Sequence, residues 1–102
     1  MIKLTQPQRN RAVTIIRDCF YTYCDKPVTV ISDEIQTRFC ICFDANFCED
    51  DNYYEAFERY TDLSETYTEL AYHHMLYKKG TTRRDWFRRV CKSNYFDGDC
   101  KE

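Results

Sequence analysis

Apolar side chains spaced alternately three and four residues apart run through the second half of the chain and constrain its fold more than any other feature. The members of this apolar row are Tyr53, Ala56, Tyr60, Leu63, Tyr67, Leu70, His74 and Tyr77. Such spacing places side chains on one side of an α-helix. Asn52 with Glu55 fits a capping box at its start, and residues 78–80 supply cations and a C′ glycine at its end. The pattern predicts one helix over residues 52–79, about 40 Å long, although residues 61–64 can instead cap a break.

Carboxylates occupy the opposite side of this predicted helix. The set, called the acidic surface below, comprises Glu49, Asp50, Asp51, Glu55, Glu58, Asp62, Glu65 and Glu69. Positions 55, 62 and 69 are offset by two residues from the apolar row, which is about 200° around a helix. On a straight helix the last five carboxylates would span about 21 Å at roughly 5 Å intervals, approaching the spacing of about 3.4 Å per phosphate along one nucleic-acid strand. The spacing favours a partner-binding surface that resembles nucleic acid; the alternative is the ordinary polar face of an amphipathic helix.

The N-terminal segment carries the pattern of an amphipathic helix. Thr5 with Gln8 fits a capping box, and Pro7 falls in the first turn, where its missing N–H costs little. An apolar stripe with helical spacing follows. The pattern predicts a helix over residues 6–24.

The segment after Pro27 has the pattern of extended structure. The sequence VTVI favours a strand, and residues 32–34 can form a turn. Beyond them, Ile35, Phe39 and Ile41 belong to a run in which alternate residues point to one face of a strand. The pattern predicts a β-hairpin over residues 27–43, packed against the helices because two strands alone are marginal.

A short helix is predicted over residues 82–92, where Thr82 and Asp85 resemble a capping box. Together the elements predict a single compact domain over residues 1–102, of the α+β class and mainly α. Its order is an N-terminal helix, a β-hairpin, one long amphipathic helix and a short basic C-terminal helix.

The charges of the chain lie in blocks. Residues 44–72 hold nine acidic groups and one Arg, whereas residues 78–92 hold seven basic groups and one Asp. The arginines of the second block are Arg83, Arg84, Arg88 and Arg89. With the turn before it, this predicted helix resembles the second helix of a helix-turn-helix motif, but the bulky Leu76 and Trp86 depart from that pattern. A nucleic-acid-binding regulator is therefore the alternative function. Direct binding is less favoured because the neighbouring acidic surface would repel a duplex. These arginines are expected instead to pair with the acidic helix of the same chain, with another protomer or with an acidic partner.

The N-terminus turns polar at once, which argues against a signal peptide, and no stretch approaches the roughly 18 apolar residues of a membrane span. The sequence therefore predicts a cytoplasmic protein, in a host cell if the protein is viral.

The chain has seven cysteines, which are expected to be free and mostly buried thiols in a reducing compartment.

Neither a metal site nor an enzyme is predicted. The sequence does contain side chains that can bind zinc, namely Cys40, Cys42, Cys48, His73 and His74. However, no C-x2-C motif is present. No cysteine has a local signature of a low-pKa nucleophile beside a base. Carboxylates on a convex helix face lack the burial that shifts a pKa. The sequence predicts no cofactor.

Tyrosines in the apolar row have two interpretations. Tyr53, Tyr60 and Tyr67 can pack against the first helix and the hairpin, or they can mediate self-association along the long helix. The second interpretation predicts a homodimer with no charged target.

The preferred hypothesis is a small, non-enzymatic binding protein that uses the acidic surface against the basic groove of a nucleic-acid-processing or defence protein, such as a nuclease or polymerase. In its size, its single domain and its wealth of Tyr, Cys and acidic residues, the chain resembles the small accessory proteins of bacteriophages and other viruses. Many of those bind and block a host protein, and the resemblance implies an inhibitor.

Overall fold

The computed structural model describes residues 3–77, and within that range every regular element is a helix. The elements are α1 (Gln6–Thr22), α2 (Val28–Cys42), a short 3-10 helix (Ala45–Cys48), α3 (Asp50–Arg59) and α4 (Thr61–Tyr77). The described part of the chain is therefore all-α, and the predicted α+β class with a hairpin is wrong. The predicted helix at residues 82–92 lies outside the described residues.

Helix α1 begins at the predicted capping box. The Thr5 hydroxyl accepts a hydrogen bond from the Gln8 N–H at 3.4 Å, and the Gln8 side-chain oxygen accepts one from the Thr5 N–H at 2.9 Å. The helix buries one face, formed by Ala12, Ile15, Ile16, Cys19 and Phe20. This local prediction is confirmed because both capping partners are close in sequence.

Helix α2 occupies the segment predicted as a hairpin. Its N-cap is Pro27, whose carbonyl accepts hydrogen bonds from the N–H groups of residues 30 and 31 at 3.0 and 3.2 Å. Ile31, Ile35 and Phe39 are fully buried, whereas Ile41 is 78% exposed. The buried residues thus recur every four positions, as on a helix, and the alternation that suggested a strand does not describe which side chains reach the core.

The predicted long helix is two helices. Tyr60 separates them with extended backbone angles, φ −113° and ψ 105°. Its N–H closes the last turn of α3 on the carbonyl of Ala56 at 3.0 Å, and its carbonyl accepts the first hydrogen bonds of α4. Helix α3 starts at Asp50 without a side-chain cap, so the capping box predicted at 52 and 55 is also wrong.

Tertiary contacts of Tyr60 hold this break in place. The Tyr60 hydroxyl accepts a hydrogen bond from the Leu4 N–H at 2.7 Å. The guanidinium of Arg9 lies over the Tyr60 ring, 5.2 Å from its centre. Both partners come from the N-terminal segment, which explains why the sequence around residue 60 alone did not fix the break.

The core lies where α1, α2 and the apolar row meet. Phe39 of α2 packs against rings of Phe43, Phe47, Tyr53 and Phe57, with centroids 5.5 to 6.3 Å apart. On the other side, α1 packs against α4, and the Phe20 ring meets the Tyr67 ring edge-on at 5.3 Å. The apolar row therefore faces inward on both α3 and α4, as its spacing predicts.

Two of the cysteines in the described part of the chain form a disulfide. Cys40 at the end of α2 is bonded to Cys48 of the 3-10 helix, with their Cα atoms 5.8 Å apart. Cys19 and Cys24 are buried thiols, and Cys42 is an exposed thiol. The expectation that the cysteines are free is thus wrong for Cys40 and Cys48, because the chain turns back after α2 and brings them together.

None of the helices in the described range combines the length and the apolar character needed to cross a membrane.

Candidate functional site

Every carboxylate of the acidic surface lies outside the core. Glu49, Asp50, Asp51, Glu58 and Glu65 are exposed, and the other three members are half-buried. They occupy the outer sides of α3 and α4 because the apolar row fixes the opposite sides inward. The offset between the two rows predicted this placement.

Three members of the acidic surface have basic partners. Asp62 lies 3.7 Å from the Arg9 guanidinium, Glu55 lies 3.8 Å from that of Arg59, and Glu69 lies 3.0 Å from the His73 imidazole. Surface pairs of this kind contribute about 0.2–1 kcal/mol. The two arginines partly neutralise the charge at positions 55 and 62, whereas the imidazole contact at position 69 is an ion pair only with a protonated His73.

No Lys, Arg or His within residues 3–77 forms an ion pair with the other five carboxylates. Asp50 accepts a hydrogen bond from the Gln36 amide at 3.1 Å, and Glu49 accepts one from the Asn52 amide at 3.4 Å. Neutral amides do not cancel a negative charge. Within residues 3–77, Asp51, Glu58 and Glu65 make no ion pair. The exposed and uncancelled part of the acidic surface therefore spans both helices.

The break at Tyr60 changes the geometry predicted for these groups. One group of carboxylates lies on or just before α3, and the other, from Asp62 onward, lies on α4. Because the backbone leaves the helical conformation between them, a straight row of five carboxylates over about 21 Å does not exist, and that prediction is wrong. The acidic surface instead has two parts that meet at the break.

An open cleft lies between α2, α3 and α4, next to the acidic surface. This aromatic cleft has a volume of about 430 Å³. Its walls include Val28, Ser32 and Asp33 of α2, Tyr54 and Phe57 of α3, and Thr68 of α4. Sequence reasoning missed the cleft because it assigned the α2 wall to a hairpin.

Hydroxyl groups gather on one side of this cleft. The Ser32 hydroxyl and the Tyr53 hydroxyl are hydrogen-bonded at 3.0 Å, and the Tyr53 hydroxyl also donates to the Ser32 carbonyl at 3.3 Å. Burial raises the pKa of Tyr53, while the Ser32 hydrogen bond opposes that rise; the pKa of Tyr67 is raised by burial in the same way. Both phenols are therefore neutral at physiological pH, and the cleft offers hydrogen-bonding groups without an ionised nucleophile.

The tyrosines considered for self-association are largely occupied inside the fold. Tyr53 is only 2% exposed. Tyr60 is half-buried beneath Arg9, and Tyr67 is half-buried between Phe20 and Phe57. These contacts leave almost none of Tyr53 for a second copy of the chain, whereas Tyr60 and Tyr67 remain partly exposed.

The described residues contain no group of three or more side chains placed to hold a metal ion. Two of the candidate zinc donors, Cys40 and Cys48, are bonded to each other. The alternative basic face, Arg83, Arg84, Arg88 and Arg89, lies outside the described residues.

The chain matches no protein-family model, no curated protein and no solved structure.

Proposed function

We propose that the protein acts by stoichiometric binding, and that its acidic surface binds a basic groove of a nucleic-acid-processing or defence protein and inhibits it. The observation that carries this proposal is the set of exposed carboxylates on α3 and α4 that no cation within residues 3–77 neutralises. Carboxylates accept charge-assisted hydrogen bonds from Arg and Lys as phosphates do. A surface of one sign also accelerates encounter with a surface of the opposite sign.

The two parts of the acidic surface suit a curved groove better than a straight one. The backbone is extended at Tyr60, so the carboxylates on α3 and α4 belong to two separate helices and do not form one straight row. A partner that surrounds its nucleic acid with basic residues on two sides offers cations in such an arrangement. The protein would compete with phosphate there without itself binding nucleic acid.

The proposed place of action is the cytoplasm, where such partners handle nucleic acid. Disulfides are rare in cytosolic proteins. The Cys40–Cys48 bond is a feature that favours an oxidising compartment instead, so the redox state of this pair in cells bears directly on the location.

The test compares two double variants that change the net charge equally. Glu58→Lys/Glu65→Lys reverses two carboxylates that make no ion pair within residues 3–77. Asp18→Lys/Glu34→Lys reverses two carboxylates on α1 and α2, away from the acidic surface. Each protein is immobilised and exposed to nuclease-treated lysate of the cells that produce or host it, and circular dichroism verifies that each is folded.

The proposal expects wild type and the α1/α2 variant to capture the same nucleic-acid-binding protein, which double-stranded DNA or RNA then displaces. The Glu58/Glu65 variant should lose that capture. Equal capture by both variants would contradict the proposal. If all three proteins instead capture no protein and bind purified DNA or RNA added separately, the function would be assigned to the basic C-terminal block.

A further inference from the structure

We infer that the aromatic cleft is the anchor site of the acidic surface and binds one bulky apolar side chain of a partner segment flanked by Lys or Arg. This inference rests on the proposed function and specifies the chemistry of the partner. It follows from the size of the cleft, the side chains at its mouth and the charges around it.

The cleft has the dimensions and lining of a binding pocket. Its volume of about 430 Å³ falls in the range of roughly 300–1,000 Å³ that is typical of ligand sites. Tyr54 and Val28 are 58% and 38% exposed at its walls, although both are large apolar residues. An apolar side chain that enters would remove this surface from water, which is the main source of affinity at the centre of an interface.

Polar groups among the residues of the cleft favour an aromatic anchor. The lining combines the bonded hydroxyls of Ser32 and Tyr53 with the apolar ring of Phe57. An indole or phenol presents an apolar ring together with a polar hydrogen-bonding group. A Trp or Tyr anchor can therefore contact both the apolar and the polar groups of the lining, whereas an aliphatic anchor contacts only the apolar ones.

Charges around the cleft are negative. Asp33 is part of its wall, and no Lys or Arg among residues 3–77 lines it. Glu65 and Glu69 line a shallow depression that shares Ser64 and Thr68 with the cleft. Cations on both sides of the anchor would thus meet carboxylates on α2 and on α4, and an acidic segment would be repelled.

Three short peptides test the inference directly on the full chain. The probes are acetyl-Lys-Trp-Lys-amide, acetyl-Glu-Trp-Glu-amide and acetyl-Lys-Ala-Lys-amide, each titrated against isotope-labelled protein by NMR. The Lys-Trp-Lys peptide should bind with shifts at Val28, Ser32 and Thr68. The other two should bind about tenfold more weakly or worse, because one lacks apolar burial and the other lacks charge complementarity.

Two tryptophan substitutions, one that fills the cleft and one outside it, provide a matched pair of protein variants. Thr68→Trp places an indole at the exposed mouth of the cleft, whereas Thr37→Trp places one on an exposed position of α2 that does not line it. The first should abolish binding of the Lys-Trp-Lys peptide, and the second should leave it unchanged. Equal binding to both variants, or equal binding of the Glu-Trp-Glu peptide, would overturn the inference.

The same variants separate this inference from the proposed function. If Glu58→Lys/Glu65→Lys loses the captured protein while Thr68→Trp retains it, the acidic surface binds and the cleft is not an anchor. If wild type instead sediments as a dimer that Thr68→Trp dissociates, a second copy occupies the cleft and the inference is wrong.

Discussion

Burial turns two potentially reactive residues, Cys19 and Tyr53, into packing groups. Cys19 is fully buried in α1, and desolvation raises the pKa of its thiol from 9.0 to about 11, although the Arg38 cation partly opposes this rise. Tyr53 is buried between α2 and α3, and its pKa is also raised by desolvation. Both side chains are protonated at neutral pH, so neither is an activated nucleophile.

The raised pKa of Cys19 predicts a loss of stability in alkaline solution. Above pH 9 the unfolded thiol ionises while the folded thiol keeps its proton to about pH 11. The unfolded state therefore binds fewer protons, and the free energy of unfolding falls as the pH rises. The slope from this residue is at most about 1.4 kcal/mol per pH unit.

Urea denaturation between about pH 8 and pH 9 measures this effect, since phenols with a pKa of about 10 in the unfolded chain are still largely protonated there. Cys19→Ala should remove most of the fall. Cys42→Ala, which removes an exposed thiol, should retain it. An unchanged slope in Cys19→Ala would contradict the assignment.

At the scale of elements, local signals were sufficient for α1 and insufficient for α2. The capping box of α1 depends on two residues three positions apart, so the sequence predicted its start. In α2, Ile35 and Phe39 fit both a strand, as every second residue, and a helix, as every fourth. The choice is made by packing against α1 and α3, which no window of the sequence contains.

The same reasoning explains what could be predicted of the candidate site. The outward position of Glu58 and Glu65 followed from their offset to the apolar row, which remains inward in both helices. The break at Tyr60 depends on Leu4 and Arg9, more than fifty positions away. The aromatic cleft needs the α2 wall, and so it could not be found before α2 was known to be a helix.

Substitutions in α2 distinguish the helix from a strand. Phe39→Ala should lower the free energy of unfolding by about 3–5 kcal/mol because it empties the centre of the aromatic cluster. Ile41→Ala should change it by less than about 0.5 kcal/mol because that side chain is exposed. In a strand the two side chains would lie on the same face, and the two substitutions would lower the free energy of unfolding by similar amounts. Comparable losses, measured by urea denaturation, would therefore contradict the helical assignment.

The whole molecule is polarised, although its net charge is only −2. Residues 1–26 carry a net charge of +3 from five basic and two acidic groups, and residues 44–72 carry −8 from nine acidic groups and one Arg. The Arg9–Asp62 ion pair connects the basic N-terminal region with the acidic region. Within residues 3–77 most of these acidic groups form no ion pair, and their charge can attract a basic partner at long range.

Salt should therefore affect the association rate with the captured partner. The rate constant for association should fall steeply as ionic strength rises from about 0.05 M to about 0.5 M, because the Debye length shortens. Glu58→Lys/Glu65→Lys should flatten this dependence. Thr68→Trp should instead raise the dissociation rate and keep the salt dependence of association, and stopped-flow measurements separate the two. A salt-independent association rate for wild type would contradict electrostatic steering.

The packing of α1 on α4 also has a consequence for synthesis of the chain on the ribosome. His74 is buried, and its imidazole lies 2.9 Å from the carbonyl oxygen of Lys26, a partner 48 positions earlier in the chain. The ring of Phe20 likewise packs against that of Tyr67, which is synthesised 47 residues later. The apolar face of α1, made first, thus stays uncovered on that side until α4 has emerged. Folding of the nascent chain is completed late, and during translation α1 is the segment that a chaperone would recognise.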